Sequence, residues 1–174
     1  MIPVKNEREL VIMRKACKIT AAARALAGEM VRPGVTTKQI DKAVYEFILS
    51  QGAKPTFLGY GGFPASTCIS VNEVVIHGIP GGYILKEGDI VNVDCSTILD
   101  GYYSDSSRMF CIGEVTPERK KLVDVTYEAV QRGLAAVKPW ATVGDIAHAV
   151  QTYAEENGFS VAVSYTHLTL PTTS

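Results

Sequence analysis

The sequence has few aromatic residues and no long apolar run, and these absences argue against a nucleic-acid-binding surface and a membrane-spanning segment. Phe, Trp and Tyr make up 8% of its 174 residues. No apolar stretch approaches the roughly 20 residues that a membrane-spanning helix needs. Lys and Arg (17) nearly balance Asp and Glu (18), and the basic residues are scattered along the chain. We therefore expect neither DNA nor a membrane among the partners.

Cysteine is also sparse, and the first residues do not have the pattern of a secretory signal. The four cysteines show no Cys-x-x-Cys spacing, which argues against a disulfide framework or a zinc knuckle. Free cysteine is usually buried, so we expect reduced thiols in or near the core. The N-terminus becomes charged at Lys5 and lacks the apolar core of a secretory signal. These features predict a cytoplasmic protein with one domain and a sizeable core.

Capping signals and β-branched runs divide the chain into helices and strands. Asn6, Thr36, Thr116 and Thr142 each precede a segment with helical periodicity and are typical of helix N-caps. Between the second and third of these helices, residues 67–71 and 91–96 have the composition of strands. The predicted order is two helices, a block of strands with a long hairpin, and two more helices. This order predicts an α+β fold.

The predicted hairpin brings two carboxylates together. If Asp100-Gly101 forms a two-residue turn, Ser96 faces Asp105 across the strands, and Asp94 is the diagonal neighbour of Asp105 on the same face. Their β-carbons would then be about 7–8 Å apart. Two acidic side chains held so close favour cations between them, which predicts a metal pair. The alternative is that both aspartates are solvated surface residues. The pairing also depends on the turn, because a β-bulge would move the two side chains apart.

A histidine lies at a second candidate position. Residues 74–76 are β-branched and lead into His77, so we expect the imidazole at a strand end. Gly78 and Pro80 would hold it on a fixed loop, as a site residue requires, although a lone histidine can also be structural. His148, on the last predicted helix, is expected to be a packing or surface residue. No nucleophile triad and no glycine-rich phosphate loop are present.

Several separate motifs, in order, resemble the bacterial type I methionine aminopeptidases. They are residues 58–64, 68–80, 88–94 and 100–105, within a match from Pro3 to Val161. The resemblance implies the pita-bread fold, with the first pseudo-symmetric half and the start of the second. It also implies removal of the initiator methionine from nascent polypeptides, near the ribosomal exit tunnel. Two divalent ions would serve as cofactors, and oxygen-rich ligation admits manganese, iron(II), cobalt or zinc.

The same resemblance implies roles for the residues of the hairpin and the histidine loop. Asp94 would chelate one metal and Asp105 would bridge both. Ser96 would orient a carboxylate through a hydrogen bond. His77 would be catalytic, in contact with the substrate and its tetrahedral intermediate.

Further positions match binding residues of the family. Tyr60, Phe63 and Cys68 correspond to its methionine pocket, with ordinary core packing as the alternative for each. Asn72 and Val74 match a loop that binds a monovalent cation.

The C-terminal end departs from the family. The remaining metal ligands, one His and two Glu, are missing, and His167 has neither of the expected glycine neighbours. Residues 163–174 resemble a translated sequencing-library adaptor, which predicts a partial catalytic domain over 1–162, a non-native tail and an inactive fragment. Two alternatives remain open. One is a non-catalytic pita-bread relative that acts as a binding protein, and the other is a proline-specific aminopeptidase.

Overall fold

The computed structural model describes residues 4–162, and the α+β order predicted from the sequence is confirmed. The tail prediction for residues 163–174 and His167 lie outside this range. No helix in it has the length and apolar character needed to cross a membrane. The elements are α1 (Glu7–Met30), α2 (Thr37–Ser50), β1 (Lys54–Pro55), β2 (Thr67–Val71), β3 (Ile90–Leu99), β4 (Tyr102–Cys111), α3 (Pro117–Ala135) and α4 (Val143–Glu156), with a short 3-10 turn at Tyr60–Gly62.

The helices begin where the capping residues predict. At the start of α1, Asn6 Oδ1 accepts hydrogen bonds from the main-chain N–H groups of Arg8 (3.0 Å) and Glu9 (3.1 Å). The Glu9 carboxylate accepts in return from Asn6 N at 2.7 Å. Such reciprocal bonds satisfy N–H groups that have no partner inside the helix. Thr36 and Thr142 form the same capping box in front of α2 and α4.

One antiparallel sheet carries the long hairpin. Strand β3 pairs along its whole length with β4, and its other edge pairs with β2 and β1. Ser96 lies opposite Asp105, and Asp94 lies opposite Ser107. The register predicted from the Asp100-Gly101 turn is therefore confirmed.

The two faces of β3 have different environments. Val91, Val93 and Cys95 are fully buried in a core that includes residues of α1 and α2. The alternate residues Asn92 and Asp94 point to the opposite face, because successive side chains on a strand alternate. Helices α1 and α2 thus cover one face of the sheet, and the carboxylates lie on the other.

Three hydroxyl groups form a buried cluster between α1 and the hairpin. Thr20 Oγ1 on α1 lies 2.7 Å from Thr97 Oγ1 and accepts a hydrogen bond from Ser104 Oγ, also at 2.7 Å. Thr20 and Thr97 are 0% exposed, and Ser104 is 7% exposed. Buried hydroxyls are costly without partners, and both of these hydrogen bonds run through Thr20. The cluster ties α1 to the strands that carry the carboxylates.

Thr20→Val should therefore destabilise the chain by about 1–3 kcal/mol, because it leaves the Ser104 hydroxyl without its acceptor. Thr20→Ser keeps the oxygen and is the matched control, with a smaller loss from the missing methyl group. Urea unfolding followed by circular dichroism measures both. Equal losses for Val and Ser would show that the hydroxyl network contributes nothing measurable.

The chain divides between Val115 and Thr116 into two compact units. The second contains α3 and α4, which pack closely at Gly133, where an added β-carbon would lie 2.8 Å from Val150 Cγ2. The Arg132 guanidinium lies 3.8 Å from the centroid of the Tyr153 ring.

Two sequence expectations need correction, and one short strand was missed. Residues 74–76 do not form a strand, since β2 ends at Val71 and the side chains of Val74 and Val75 are exposed. His77 consequently lies in a loop. Cys17 is exposed, although Cys68 and Cys95 are buried as expected and all four thiols are free. The two-residue strand β1 was not predicted.

Candidate metal centre

The two hairpin carboxylates lie together on the open face of the sheet. Asp94 comes from β3 and Asp105 from β4, and their side chains share a hydrogen bond. Burial, together with the nearby charge of Asp105, raises the pKa of Asp94 to about 7. Burial also raises the pKa of Asp105, although hydrogen bonds from Asp94 and Ser96 oppose that shift. Without a cation, the pair therefore shares a proton near neutral pH.

One oxygen of this pair has no protein partner. Asp94 Oδ1 is buried and accepts no hydrogen bond from the described residues. Buried carboxylate oxygens are normally satisfied, so an orphan indicates a missing donor or cation. The oxygen ligands and the repulsion within the pair fit divalent ions. Over residues 4–162 no group of three or more His, Cys, Asp or Glu side chains could hold a metal, so this stretch supplies two carboxylates.

Ser96 lies directly opposite Asp105, as predicted. Its hydroxyl donates to the main-chain oxygen of Ser104 at 3.0 Å, and its contact with Asp105 lowers the pKa of that carboxyl. Because a serine hydroxyl has one proton, the bond to Ser104 competes with donation to Asp105. The orienting role of Ser96 therefore remains a prediction.

Cys68 lies opposite Asp94 on the neighbouring strand β2. Burial, together with the charges of Asp94 and Asp105, raises the pKa of its thiol to about 12. The thiol thus stays protonated, and the thiol form is a poor metal ligand. At this position Cys68 forms an apolar wall beside the carboxylates.

His77 is placed by a tight contact between its loop and β2. The residue is exposed and has a φ of 56°, in the left-handed region. The next residue, Gly78, donates its N–H to Ser70 Oγ at 3.0 Å and accepts from Ile69 N at 2.8 Å. Ser70 lies on the same sheet face as Cys68. The loop is therefore fixed to the strand that borders the carboxylates.

Gly78→Ala should displace this loop and destabilise the chain by about 1–3 kcal/mol. The added β-carbon would overlap Ile69 O and lie 2.8 Å from the Ile69 carbonyl carbon, and this backbone has little freedom to move. Gly82→Ala is the matched control, because a β-carbon there meets nothing within 4 Å. Thermal unfolding compares the two variants, and equal stability would contradict the tight contact.

Asp89 organises the same loop, and sequence reasoning missed it. Its buried carboxylate accepts from Asn72 Nδ2 (2.8 Å), Lys86 N (2.9 Å) and Tyr83 OH (3.1 Å). Burial acts to raise its pKa, but these hydrogen bonds hold the pKa below its ordinary value. The Asn72 side chain is thus committed to Asp89 and to Ile90 N. The monovalent-cation site at Asn72 and Val74 remains a prediction.

A cavity lies on the site face near the hairpin turn. It has a volume of about 470 Å³ and is lined by Lys54, Pro55, Thr56, Phe57, Tyr60, Ile98 and Tyr103. Of the residues predicted to form the methionine pocket, Tyr60 lines this cavity. Phe63 contacts Phe57 edge to face, with ring centroids 6.4 Å apart. Cys68 is not among its lining residues and lies at the carboxylates instead.

Comparisons with known proteins agree with the motifs. Residues 11–170 match metallopeptidase family M24. Methionine aminopeptidase of Clostridium perfringens is 48% identical over 161 residues, which are 92% of this chain and 65% of that protein. Methionine aminopeptidase 1 of Bacillus subtilis is 44% identical over 95% of this chain and 66% of its own length. The chain thus spans about 65% of the length of these relatives.

Solved structures show the same fold. The crystal structure of methionine aminopeptidase from Rickettsia prowazekii superposes with a TM-score of 0.90 at 45% identity, over 92% of this chain and 65% of that one. Prolidase from Pyrococcus furiosus has a TM-score of 0.80 at 23% identity, which is a likeness of fold alone. The predicted pita-bread fold is confirmed for the part of it that the chain covers.

Proposed function

Because the chain belongs to metallopeptidase family M24, we propose that the full-length native protein is a metal-dependent aminopeptidase that removes the initiator methionine from nascent polypeptides. The observation that carries this proposal is the carboxylate pair with its orphan oxygen, Asp94 Oδ1, on the open face of the sheet. Nascent polypeptides as substrates would put the site of action in the cytoplasm, near the ribosomal exit tunnel.

Asp94 and Asp105 would hold two divalent ions, with Asp105 as the bridge. When bound, such ions supply Lewis acidity at the scissile carbonyl and make water more acidic. The pair must release its shared proton before it can bind them, so metal affinity should rise with pH through the pKa of Asp94, about 7. The Ser96 hydroxyl on β3 donates to the main-chain oxygen of Ser104 on β4, and this hydrogen bond joins the two strands next to Asp105. The metal that the cell uses is left open among manganese, iron(II), cobalt and zinc.

The residues around the pair would bind the peptide. His77, exposed on its fixed loop, can donate a hydrogen bond from a ring N–H to the reacting carbonyl oxygen. Tyr60, Phe63 and Cys68 would form apolar surface for the methionine side chain. Asn72 and Val74 would hold a monovalent cation through the loop after β2.

We also propose that residues 1–162 are a partial catalytic domain and that residues 163–174 are a non-native tail. The 174-residue chain should then release no measurable methionine, because two carboxylates do not complete a dinuclear site. The test is an assay of a Met-Gly peptide with manganese or cobalt. Activity in a monomeric preparation would contradict the proposal, as would an uninterrupted genomic locus that encodes the same tail.

One experiment separates the proposed function from its two rivals. The full-length native protein, loaded with manganese, should release methionine from a Met-Gly peptide and lose this activity after chelation. A non-catalytic binding protein would release nothing although it binds the metal. A proline-specific enzyme would instead cleave an Ala-Pro peptide faster than the Met-Gly peptide.

A further inference from the structure

We propose that Asp41, on α2, is a positioning residue for the methionine pocket that Tyr60, Phe63 and Cys68 would form. Asp41 acts without touching the substrate, by holding the chain between Phe63 and Cys68 in place. The inference rests on the proposed function, because the occupant of that pocket is the methionine side chain of the substrate.

One carboxylate oxygen of Asp41 joins α2 to the start of β2. Asp41 Oδ1 accepts hydrogen bonds from Ser66 N at 2.9 Å, from Thr67 N at 2.8 Å and from Thr67 Oγ1 at 2.8 Å. Ser66 and Thr67 are buried, so Asp41 rather than bulk water satisfies these donors. Hydrogen bonds to an ionised acceptor are about twice as strong as those between neutral groups. The backbone at residues 66 and 67 is therefore fixed to α2.

The chain that enters β2 carries two of the proposed pocket residues. Residues 57–65, here called the pocket turn, include Tyr60 and Phe63. The turn closes on itself, because Gly59 N donates to Phe63 O at 2.8 Å and Phe63 N donates to Tyr60 O at 2.9 Å. Both side chains thus belong to one closed turn, whose position depends on how its ends are held.

Hydrogen bonds hold the pocket turn at both ends. Before the turn, Thr56 N donates to Ser96 O on β3 at 3.2 Å. After the turn, Ser66 N and Thr67 N donate to Asp41. Loss of the acceptor at Asp41 would free the second end and let the pocket turn shift against β2.

The carboxylate pair is held by other bonds. Asp94 and Asp105 lie on β3 and β4, which pair with each other over ten residue pairs. The pairing of β2 with β3 begins at Thr67, after the pocket turn. Loss of the Asp41 acceptor should therefore weaken binding of the methionine side chain and leave the reacting groups in place. A change of this kind raises KM and leaves kcat unchanged.

The test measures KM and kcat of the full-length native protein, loaded with manganese, on a Met-Gly peptide. Asp41→Ala removes the acceptor and should raise KM about tenfold, the lower end of the cost of one lost methylene contact, with kcat within about twofold. Asp41→Asn keeps an oxygen acceptor without the charge and should raise KM by less than about threefold. Glu46→Gln, which removes an exposed charge from the same helix, should keep the wild-type KM.

Two further variants separate positioning from lost stability. Thr67→Val removes one of the three hydrogen bonds and should give a KM between those of the wild type and Asp41→Ala. Thr20→Val loses stability in the hydroxyl cluster on the other face of the sheet and should keep the wild-type KM. An equal rise of KM in Asp41→Asn and Asp41→Ala would overturn the positioning role. If Asp41→Ala does not fold, an unchanged KM in Thr67→Val overturns it.

Hydrogen exchange in the 174-residue chain reads the same bonds without turnover. The amide protons of Ser66 and Thr67 should exchange at least about tenfold faster in Asp41→Ala, while that of Val93, in the middle of β3, stays protected. Unchanged exchange at residues 66 and 67 would overturn the inference alone. Faster exchange in Asp41→Ala, with no methionine release by the full-length protein, would overturn the proposed function while retaining Asp41 as the anchor of the pocket turn.

Discussion

Asp105→Asn in the full-length native protein is expected to abolish methionine release, with a loss greater than about 100-fold. Changes to groups that only support a metal ligand already cost about 10–100-fold, and Asp105 would contact both ions. An amide has the shape of the carboxylate but no charge, so it cannot bridge two cations. The side chain lies on the open face of the hairpin, where an amide of the same shape fits, so the fold should be unchanged.

Asp100→Asn is the matched control for this variant. Asp100 lies in the turn with a φ of 49°, a conformation that asparagine tolerates, and it is exposed. The Asp100→Asn variant removes the same charge outside the site, so its activity should stay near that of the wild type. Metal content and circular dichroism are measured on both variants. Activity of Asp105→Asn within tenfold of the wild type, with metal bound, would count against the bridging role.

The metal-free chain is expected to lose stability as the pH rises from about 4 to about 7. Unfolded aspartate ionises near pH 4, whereas the folded pair retains a proton until the pKa of Asp94, about 7. The folded state therefore binds more protons than the unfolded state in this window, so the free energy of unfolding falls as the pH rises. Below about pH 4, the lowered pKa of Asp89 has the opposite effect, because it makes the free energy of unfolding rise with pH.

Asp94→Asn should remove most of this slope and raise the free energy of unfolding at about pH 8 by about 1–3 kcal/mol. The amide needs no proton to lie beside Asp105, so the like-charge repulsion disappears. Urea unfolding in a chelator, at intervals from about pH 4 to about pH 8, measures the effect. Asp100→Asn should keep the wild-type slope. A wild-type stability that rises through this window would contradict the raised pKa.

The parts of the fold that local chemistry determines could be predicted from the sequence. The Asp100-Gly101 turn determines which residues face each other, so one turn placed Asp94 and Asp105 on one face. Caps such as Asn6 act within four residues of themselves, and the starts of the helices followed from them. The β-branched residues before His77 misled the prediction, because turn geometry and the close approach of Gly78 to β2 override their strand propensity.

The features that depend on distant contacts could not be predicted. The hydroxyl cluster joins Thr20 to Thr97 and Ser104, which are 77 and 84 residues away in the chain. The three hydrogen bonds that converge on Asp89 and the orphan oxygen of Asp94 depend on burial, which the sequence does not show. The position of Asp89 directly before a predicted strand is the sequence signal that could have pointed to it.

Paramagnetic line broadening by Mn²⁺ tests most directly whether Asp94 and Asp105 bind divalent metal together. A small amount of Mn²⁺, well below one ion per chain, is added to the isotope-labelled 174-residue chain at about pH 8, where the pair has lost its shared proton. We predict selective loss of the amide signals around Asp94, Ser96, Asp105 and Ser107, and no such loss in the Asp94→Asn, Asp105→Asn double variant. Broadening spread over other acidic residues, or unchanged in the double variant, would contradict the account.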